Sequence, residues 1–337
     1  MHSLSCIRMV NKMGRGMALE RSDNMIAFGP VPSRRIGRSI GINNIPSKVC
    51  SYSCIYCQVG KTDHMQVERC SFYDPADVVR HVTKQVKNAQ KKGESIDYLT
   101  FVPDGEPTLD VNLGREIDLL KPMGIRIGVI TNGSLINRED VKKDLMKADW
   151  VSVKIDTGSK KKWRRIDRPH TSLALDSIWE GMLEFSKKFQ GTLVTETMLI
   201  QSRYHGLEDI NKMADFISAL NPDKAYLSIP TRPPAESWVK APDPETVNRT
   251  FQIFDEKVNH VEYLVGYEGN AFAFTGDAEK DLLSITSVHP MRESAVRDLL
   301  HRANEEWSLV EKLIGEKRLV ETQYNDQWFY MRNLSHS

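Results

Sequence analysis

Through its middle the chain alternates short apolar runs with longer amphipathic ones. "IDYLTFV" (96–102), "IRIGVIT" (125–131) and "WVSVKID" (150–156) stop at Pro103, Asn132-Gly133 and Thr157-Gly158. "GTLVTETMLI" (191–200) and "KAYLSIP" (224–230) follow, and "SIGINNI" (39–45) precedes them all. Between these runs apolar residues recur at helical spacing over 75–92, 112–121, 137–148, 171–189 and 206–220. Short buried strands alternating with helices are the pattern of βα units and a parallel sheet. The six strands predict an α/β fold, either an open doubly wound sheet or a partly closed barrel. In both, ligands sit at the carboxyl ends of the strands, so each loop after a strand is a candidate site.

After "AFAFTGD" (271–277) the pattern changes. Residues 281–289, 292–303 and 304–315 read as three short helices. Residues 318–332 read as a hairpin turning at Asn325-Asp326, with Val320, Thr322, Phe329 and Met331 on one face. Three helices and a hairpin predict a winged-helix-like module over 278–332, following a main domain over 26–270. Residues 1–25 carry Met1, Met9, Met13, Met17 and Met25 without periodicity. This segment is expected to be disordered or not translated, with Met25 as the start.

A chain of 337 residues, 40% hydrophobic and 27% charged, can bury a sizeable core. Its net charge of +1 exerts no global pull on nucleic acid or membrane, so local patches must carry any such claim. No apolar run reaches the ~20 residues of a membrane span, and the start lacks a signal-peptide block. A reducing, cytoplasmic setting is the expectation, and there clustered cysteines read as metal or redox ligands.

Three of the five cysteines fall within "VCSYSCIYCQVG": Cys50, Cys54 and Cys57, in the loop after the first strand. Structural zinc normally takes four protein ligands, commonly as two paired knuckles. His64 is nearby, but only one paired knuckle exists. A four-iron cluster held by three thiolates instead leaves one iron open to a ligand that is not protein. Cys6 and Cys70 are too few for a second cluster, and Cys70 reads as a packed residue.

With aromatic Tyr56 just before Cys57, this C-x3-C-x2-C spacing resembles the radical S-adenosylmethionine (SAM) superfamily. "PDGEPTL" (103–109) is similar to that superfamily's Gly-Gly-Glu-Pro motif, with Gly105, Glu106 and Pro107 matching and Asp104 in place of the first glycine. "ITNG" (130–133) resembles a Thr-Asn-Gly segment that contacts SAM in some branches, through Thr131 and Asn132. The resemblance implies a partial (β/α)6 barrel and one [4Fe-4S] cluster on Cys50, Cys54 and Cys57. It further implies SAM on the open iron and reductive cleavage to a 5′-deoxyadenosyl radical that abstracts a substrate hydrogen. A reductase or low-potential electron donor is the implied partner. Lys154 and Asp156, two apart on one strand, share a face. They are candidates for catalysis and for SAM contact, as is Glu196 on the next strand. The stretch 27–332 looks like a branch grouped with wyosine-synthase-like Fe–S oxidoreductases. Archaeal wyosine synthases carry further cysteines upstream of the core, where only Cys6 stands here.

Two basic loops are expected at the catalytic rim. One holds Arg34 and Arg35. The other packs Lys160, Lys161, Lys162, Arg164 and Arg165 around Trp163, a composition suited to phosphates and an unstacked base. Arg232, after the sixth strand, could grip an anion. From Glu279 onward eight Lys/Arg face ten Asp/Glu, and the helix before the wing opens "NEEW", which opposes duplex DNA. The residues do not identify the substrate: tRNA is one expectation, and radical modification or activation of a protein docked on the winged helix is the alternative. A non-enzymatic Fe–S redox sensor is the third reading.

Overall fold

The computed structural model describes residues 26–201, 205–264, 277–288, 290–324 and 326–333. The opening segment 1–25, with Cys6, and most of the 271–277 run lie outside the described residues, as does Asn325 of the turn. In chain order the main body begins with β1 (Ala27–Ser33), β2 (Gly37–Ile42), β3 (Val49–Cys50), β4 (His64–Met65) and α1 (Pro75–Lys91). It continues with β5 (Tyr98–Phe101), α2 (Leu113–Leu120), β6 (Arg126–Thr131), α3 (Glu139–Leu145) and β7 (Trp150–Lys154). Then come α4 (Lys160–Ile166), α5 (Leu175–Ser186), β8 (Thr192–Met198), α6 (Leu207–Leu220), β9 (Lys224–Ser228), α7 (Pro244–Asp255) and β10 (Val261–Leu264).

Eight of these strands form one sheet, in the order β1-β2-β5-β6-β7-β8-β9-β10. Only β1 runs antiparallel, to β2; every pairing from β2 to β10 is parallel. The α/β fold with a mostly parallel sheet is as the alternation predicts, but there are seven parallel strands rather than six. The seventh, β10, has no apolar run to reveal it, because Glu262 and Tyr263 are exposed on an edge strand. Its partner α7 carries an ordinary start signal, with Asp243 accepting from the Thr246 N–H at 2.7 Å and Pro244 in the first turn.

The sheet curves. β2 and β8 are four strand spacings apart, ~19 Å on a flat sheet. Yet Arg35, in the turn before β2, lies 2.8 Å from Glu196 of β8. Ile36 of the same turn packs in one cluster with Tyr98, Trp150, Val194, Tyr226 and Leu264, so side chains from both edges meet inside the curve. This is consistent with a partial barrel. The β1–β2 turn also overturns an expectation. It precedes a parallel strand and so lies at the amino ends, with Asp97 at the start of β5 beside Gly37. Arg34 and Arg35 do not sit on the carboxyl rim; Arg35 reaches Glu196 from the opposite mouth.

The last segment comprises α8 (Ala278–Val288), β11 (Met291–Arg292), α9 (Glu293–Ala303), α10 (Ser308–Gly315), β12 (Leu319–Tyr324) and β13 (Gln327–Arg332). The hairpin register pairs Val320 with Met331 and Thr322 with Phe329, as the sequence predicts. β11 adds a third strand, giving the order β11-β13-β12. Leu282, Met291, Val296, Leu299, Leu313 and Tyr330 form its buried core. α10 starts later than the pattern suggests. Asn304 adopts a left-handed φ of 55° and ends α9, which keeps "NEEW" out of the helix. The hairpin touches the main body's carboxyl rim, where the Tyr324 hydroxyl donates to the Pro230 carbonyl at 3.2 Å. Among the described residues no helix is long and apolar enough to cross a membrane.

Candidate functional site

The cysteine loop begins at β3, a two-residue strand that pairs with β4 in a small sheet of their own, so the loop closes on itself. Its outer flank is fixed by a segment from beyond β7. The Ser53 N–H donates to the Asp167 carbonyl at 3.0 Å, the Ile55 N–H to the Ile166 carbonyl at 2.9 Å, and the His170 N–H to the Ser51 carbonyl at 2.9 Å. Thus the end of the basic stretch is zipped, backbone to backbone, onto the cysteine loop. Trp163 completes the junction. It is buried, its indole N–H donates to the Tyr52 hydroxyl at 3.2 Å, and the two rings meet edge to face.

Cys50, Cys54 and Cys57 are half-buried thiols. N–H groups point at them. The Tyr52 N–H donates to Cys50 Sγ at 3.5 Å, and the Asn132 side-chain amide reaches the same sulfur at 3.6 Å. Burial pushes the Cys50 thiol up to about 12, aided by Glu106 and Cys57. Cys54 and Cys57 are also raised, chiefly by burial, with Asp167 the next cause for Cys54.

Two strand-end loops converge on this loop. Gly105 packs so closely that a Cβ there would lie 1.9 Å from the Val49 carbonyl oxygen, and the Glu106 N–H donates to that oxygen at 3.1 Å. The Glu106 carboxylate is buried and turned inward. It accepts from the Thr108 N–H at 3.0 Å, the Thr108 hydroxyl at 2.6 Å, the Thr131 hydroxyl at 2.6 Å and the Asn132 N–H at 2.7 Å. Glu106 therefore ties the β5 and β6 loops together, and Asn132 carries that tie onward to Cys50 and to the Ser51 hydroxyl at 2.9 Å. Burial raises the Glu106 carboxyl against the pull of these four donors.

Inside the curve lies a chain of charges. Register places Lys154 beside Glu196, with Nζ 3.8 Å from Oε1, and Arg35 Nε donates to Glu196 Oε2 at 2.9 Å. Lys154 Nζ stands 4.8 Å from the centre of the Tyr56 ring. Burial pulls the Lys154 ammonium down, but Asp156 and Glu196 outweigh it and hold the group above the ordinary lysine value. A cation held this firmly is a poor nucleophilic amine. Asp156 accepts from the Tyr56 hydroxyl and, at 2.7 Å, from the Met198 N–H, so both its oxygens serve the scaffold.

Asp167 joins the site without any sequence motif to mark it. It is buried, and its Oδ1 lies 3.5 Å from Cys54 Sγ and 3.3 Å from the Tyr56 hydroxyl. Burial first, then Asp156, raises its carboxyl well above the usual range. Nothing local marks it, since it lies within a run of cations.

The remaining candidates divide. Trp163 is core, so the expectation that it stacks on a base is corrected. Lys160 pairs with Asp176, and Lys162 lies 3.2 Å from Asp209. Lys161, Arg164 and Arg165 are exposed. Arg232 donates to Gln58 of the cysteine loop at 2.7 Å, which places it at the site.

Asp104 is buried beside the Gly105 turn, accepts from the Ser47 hydroxyl at 3.1 Å, and leaves Oδ1 without a hydrogen-bond partner. Burial raises its carboxyl to about 7, with Arg332 of the hairpin and Lys48 opposing. A carboxyl raised on folding holds its proton more tightly in the native state. Its stabilising contribution is full near pH 4 and is lost as pH rises through about 7, at ~1.4 kcal/mol per unit of displacement. Asp104→Asn is therefore expected to lose less stability than the wild type between about pH 5 and about pH 8 in urea unfolding. Parallel losses in both proteins would remove Asp104 as the cause.

The donor set fits an iron–sulfur cluster. Three soft thiols share one loop, N–H groups face Cys50, and burial disfavours free thiolates unless a cation replaces their protons. Among the described residues, no three or more His, Cys, Asp or Glu side chains gather as ligands of one metal ion. A cluster does not demand that, because each thiolate binds a different iron.

Comparison with known proteins agrees. A family model described as the Radical SAM superfamily matches residues 44–217. A UPF0026 protein of Methanocaldococcus jannaschii is 47% identical over 311 residues, covering 92% of this chain and 96% of its own length. A UPF0026 protein of Synechocystis sp. is 35% identical over 208 residues, 61% of this chain and 76% of its own. Among solved structures, a radical SAM methyltransferase from Sphaerobacter thermophilus superposes with a TM-score of 0.51 at 14% identity, covering 67% of this chain and 66% of its own. At that identity the likeness concerns the fold.

Proposed function

Because the chain belongs to the radical SAM superfamily, we propose that Cys50, Cys54 and Cys57 hold its [4Fe-4S] cluster and that SAM binds against it on the carboxyl rim. The observation that carries this is the convergence of the β5 and β6 loops on Cys50 through Glu106 and Asn132. When bound, the pair supplies one-electron reductive cleavage of SAM and abstraction of a substrate hydrogen. The protein's own residues position and insulate. Glu106 and Thr131 lock the two loops, and Asn132 and the Tyr52 N–H donate to the Cys50 sulfur. Tyr56, braced by Asp156 and Asp167, walls the site, while Lys154 and Glu196 offer one charge of each sign to the zwitterionic ends of SAM. The 278–332 segment is read as a winged-helix-like module closing the rim through Tyr324. The setting is read as cytoplasmic.

Anaerobically reconstituted protein given SAM and a strong reductant is expected to release 5′-deoxyadenosine. A well-formed cluster with no such product would support the redox-sensor reading instead. For the substrate, tRNA rests on the exposed cations alone now that Trp163 is buried. A protein docked on the terminal module is the second reading, favoured by the contact between hairpin and rim. Profiling modified nucleosides in tRNA from a deletion strain separates them: an unchanged profile removes tRNA.

A further inference from the structure

The turn after Glu106, Pro107–Leu109, is a single 3-10 turn, too short to use its last carbonyls itself. Two residues from the far side of β4 take three carbonyls in succession. Arg69 Nε donates to the Thr108 carbonyl at 2.8 Å, the Cys70 N–H to the Leu109 carbonyl at 2.9 Å, and Arg69 Nη2 to the Asp110 carbonyl at 2.6 Å. The Val111 N–H returns a bond to the Cys70 carbonyl at 3.0 Å. The same guanidinium reaches α3, the helix that follows the Thr131–Asn132 loop. Its Nη1 lies 2.9 Å from Asp140 Oδ2, and its Nη2 also meets Asp144, one helical turn further on. Only 4% of the Arg69 side chain is exposed. The segment that carries it begins at the cysteines, where the Gln66 N–H donates to the Cys50 carbonyl at 3.1 Å.

From these contacts we infer that Arg69 is a positioning residue for SAM: it clamps the Glu106 turn to α3 from behind and so fixes the β5 and β6 loops relative to each other. Glu106 ties the two loops on the inner side, through Thr131 and Asn132. Arg69 ties them again on the outer side, through backbone carbonyls and the α3 carboxylates. Its effect runs through Thr108, which supplies two of the four donors on the Glu106 carboxylate. A buried ion pair adds little net stability by itself. What a planar guanidinium fork adds is direction, because its donors are fixed relative to one another and cannot be imitated by an ammonium. No motif marks this residue: it lies in an irregular stretch, and its partners stand 39, 41, 71 and 75 residues away.

The inference rests on the SAM placement proposed above, and the experiment separates the two. In full-length protein without cluster, hydrogen exchange at the Thr108 and Asn132 amides is expected to be about tenfold or more faster in Arg69→Lys than in the wild type. In reconstituted protein, Arg69→Lys and Arg69→Met should both keep about four iron atoms, since no thiol ligand is changed. Their dissociation constants for SAM, from equilibrium dialysis, should rise about tenfold or more. The SAM-induced change in the EPR spectrum should reach the wild-type end point, but at correspondingly higher SAM. Val86→Ala is the stability control. It opens a cavity in the packing of α1, away from the site, and should lower the unfolding midpoint while leaving SAM affinity and both amides unchanged. Should Arg69→Met fail to fold, Arg69→Lys carries the comparison. Wild-type exchange and wild-type SAM affinity in Arg69→Lys would overturn the inference while leaving the SAM placement intact. So would a loss of affinity no larger than that of Val86→Ala. Failure of the reconstituted wild type to bind SAM would overturn both.

Discussion

Replacing Cys50, Cys54 or Cys57 with alanine is expected to bring the iron content of reconstituted protein from about four atoms per chain to near background. The magnitude follows from the donor count. Three thiols stand in the loop and no fourth cysteine accompanies them there, so each carries a third of the protein's grip on the cluster. Burial raises all three thiols, so the apo loop keeps them protonated, and metal must displace those protons cooperatively. The thiols are half-exposed and contribute little apolar packing, so stability of the apo fold should change by only ~1 kcal/mol. Cys70→Ala serves as the control. That residue is buried where its N–H donates to the Leu109 carbonyl, outside the cysteine loop, and its loss should leave iron loading unchanged. Full iron in any of the three loop variants would remove that cysteine from the ligand set.

Glu106→Ala should be the most damaging change among residues that are not metal ligands. It deletes a buried acceptor of four hydrogen bonds and strands the N–H groups of Thr108 and Asn132 and the hydroxyls of Thr108 and Thr131. Each unsatisfied buried donor costs about 1–3 kcal/mol, and relaxation recovers part, so a loss of roughly 3 kcal/mol or more is expected in chemical unfolding. The same change frees Asn132 from its tether and so unseats the amide that reaches Cys50. SAM binding, measured by equilibrium dialysis on the loaded protein, should fall with it. Glu106→Gln keeps acceptor oxygen but turns an amide toward donors, and should lie between. A Glu106→Ala protein of wild-type stability would show that water satisfies these groups and that the tether is dispensable.

Much of this arrangement is readable from local pattern. The six inner parallel strands declare themselves as apolar runs because both faces are buried. The thiol spacing and the Gly105-Glu106-Pro107 and Thr131-Asn132-Gly133 turns follow strands, so period and punctuation locate them. What escapes is whatever depends on contacts distant in sequence. β10 is an edge strand with exposed Glu262 and Tyr263, so it lacks the apolar run. Arg35 was expected on the rim, and only the curvature of the sheet brings it to Glu196 from the far mouth. Trp163 looks like a base-stacking ring among cations until Tyr52, 111 residues away, is seen to cover it. Asp167 beside Cys54 is likewise a long-range meeting, 113 residues apart.

Exposed charge and buried anchor on α4 illustrate why composition misleads here. Five cations around one tryptophan suggest a polyanion site. The side chains sort instead into an ion-paired flank, a sealed inner face and a stripe of three exposed cations with no ion pair among the described residues.

The EPR spectrum of the reduced cluster, recorded before and after SAM is added, reads the open iron itself. If three thiolates hold the cluster and SAM occupies the open iron, SAM should shift the spectrum of the wild type, and Cys57→Ala should show neither cluster signal nor shift. A reduced cluster whose spectrum is indifferent to saturating SAM would show that SAM does not occupy the open iron.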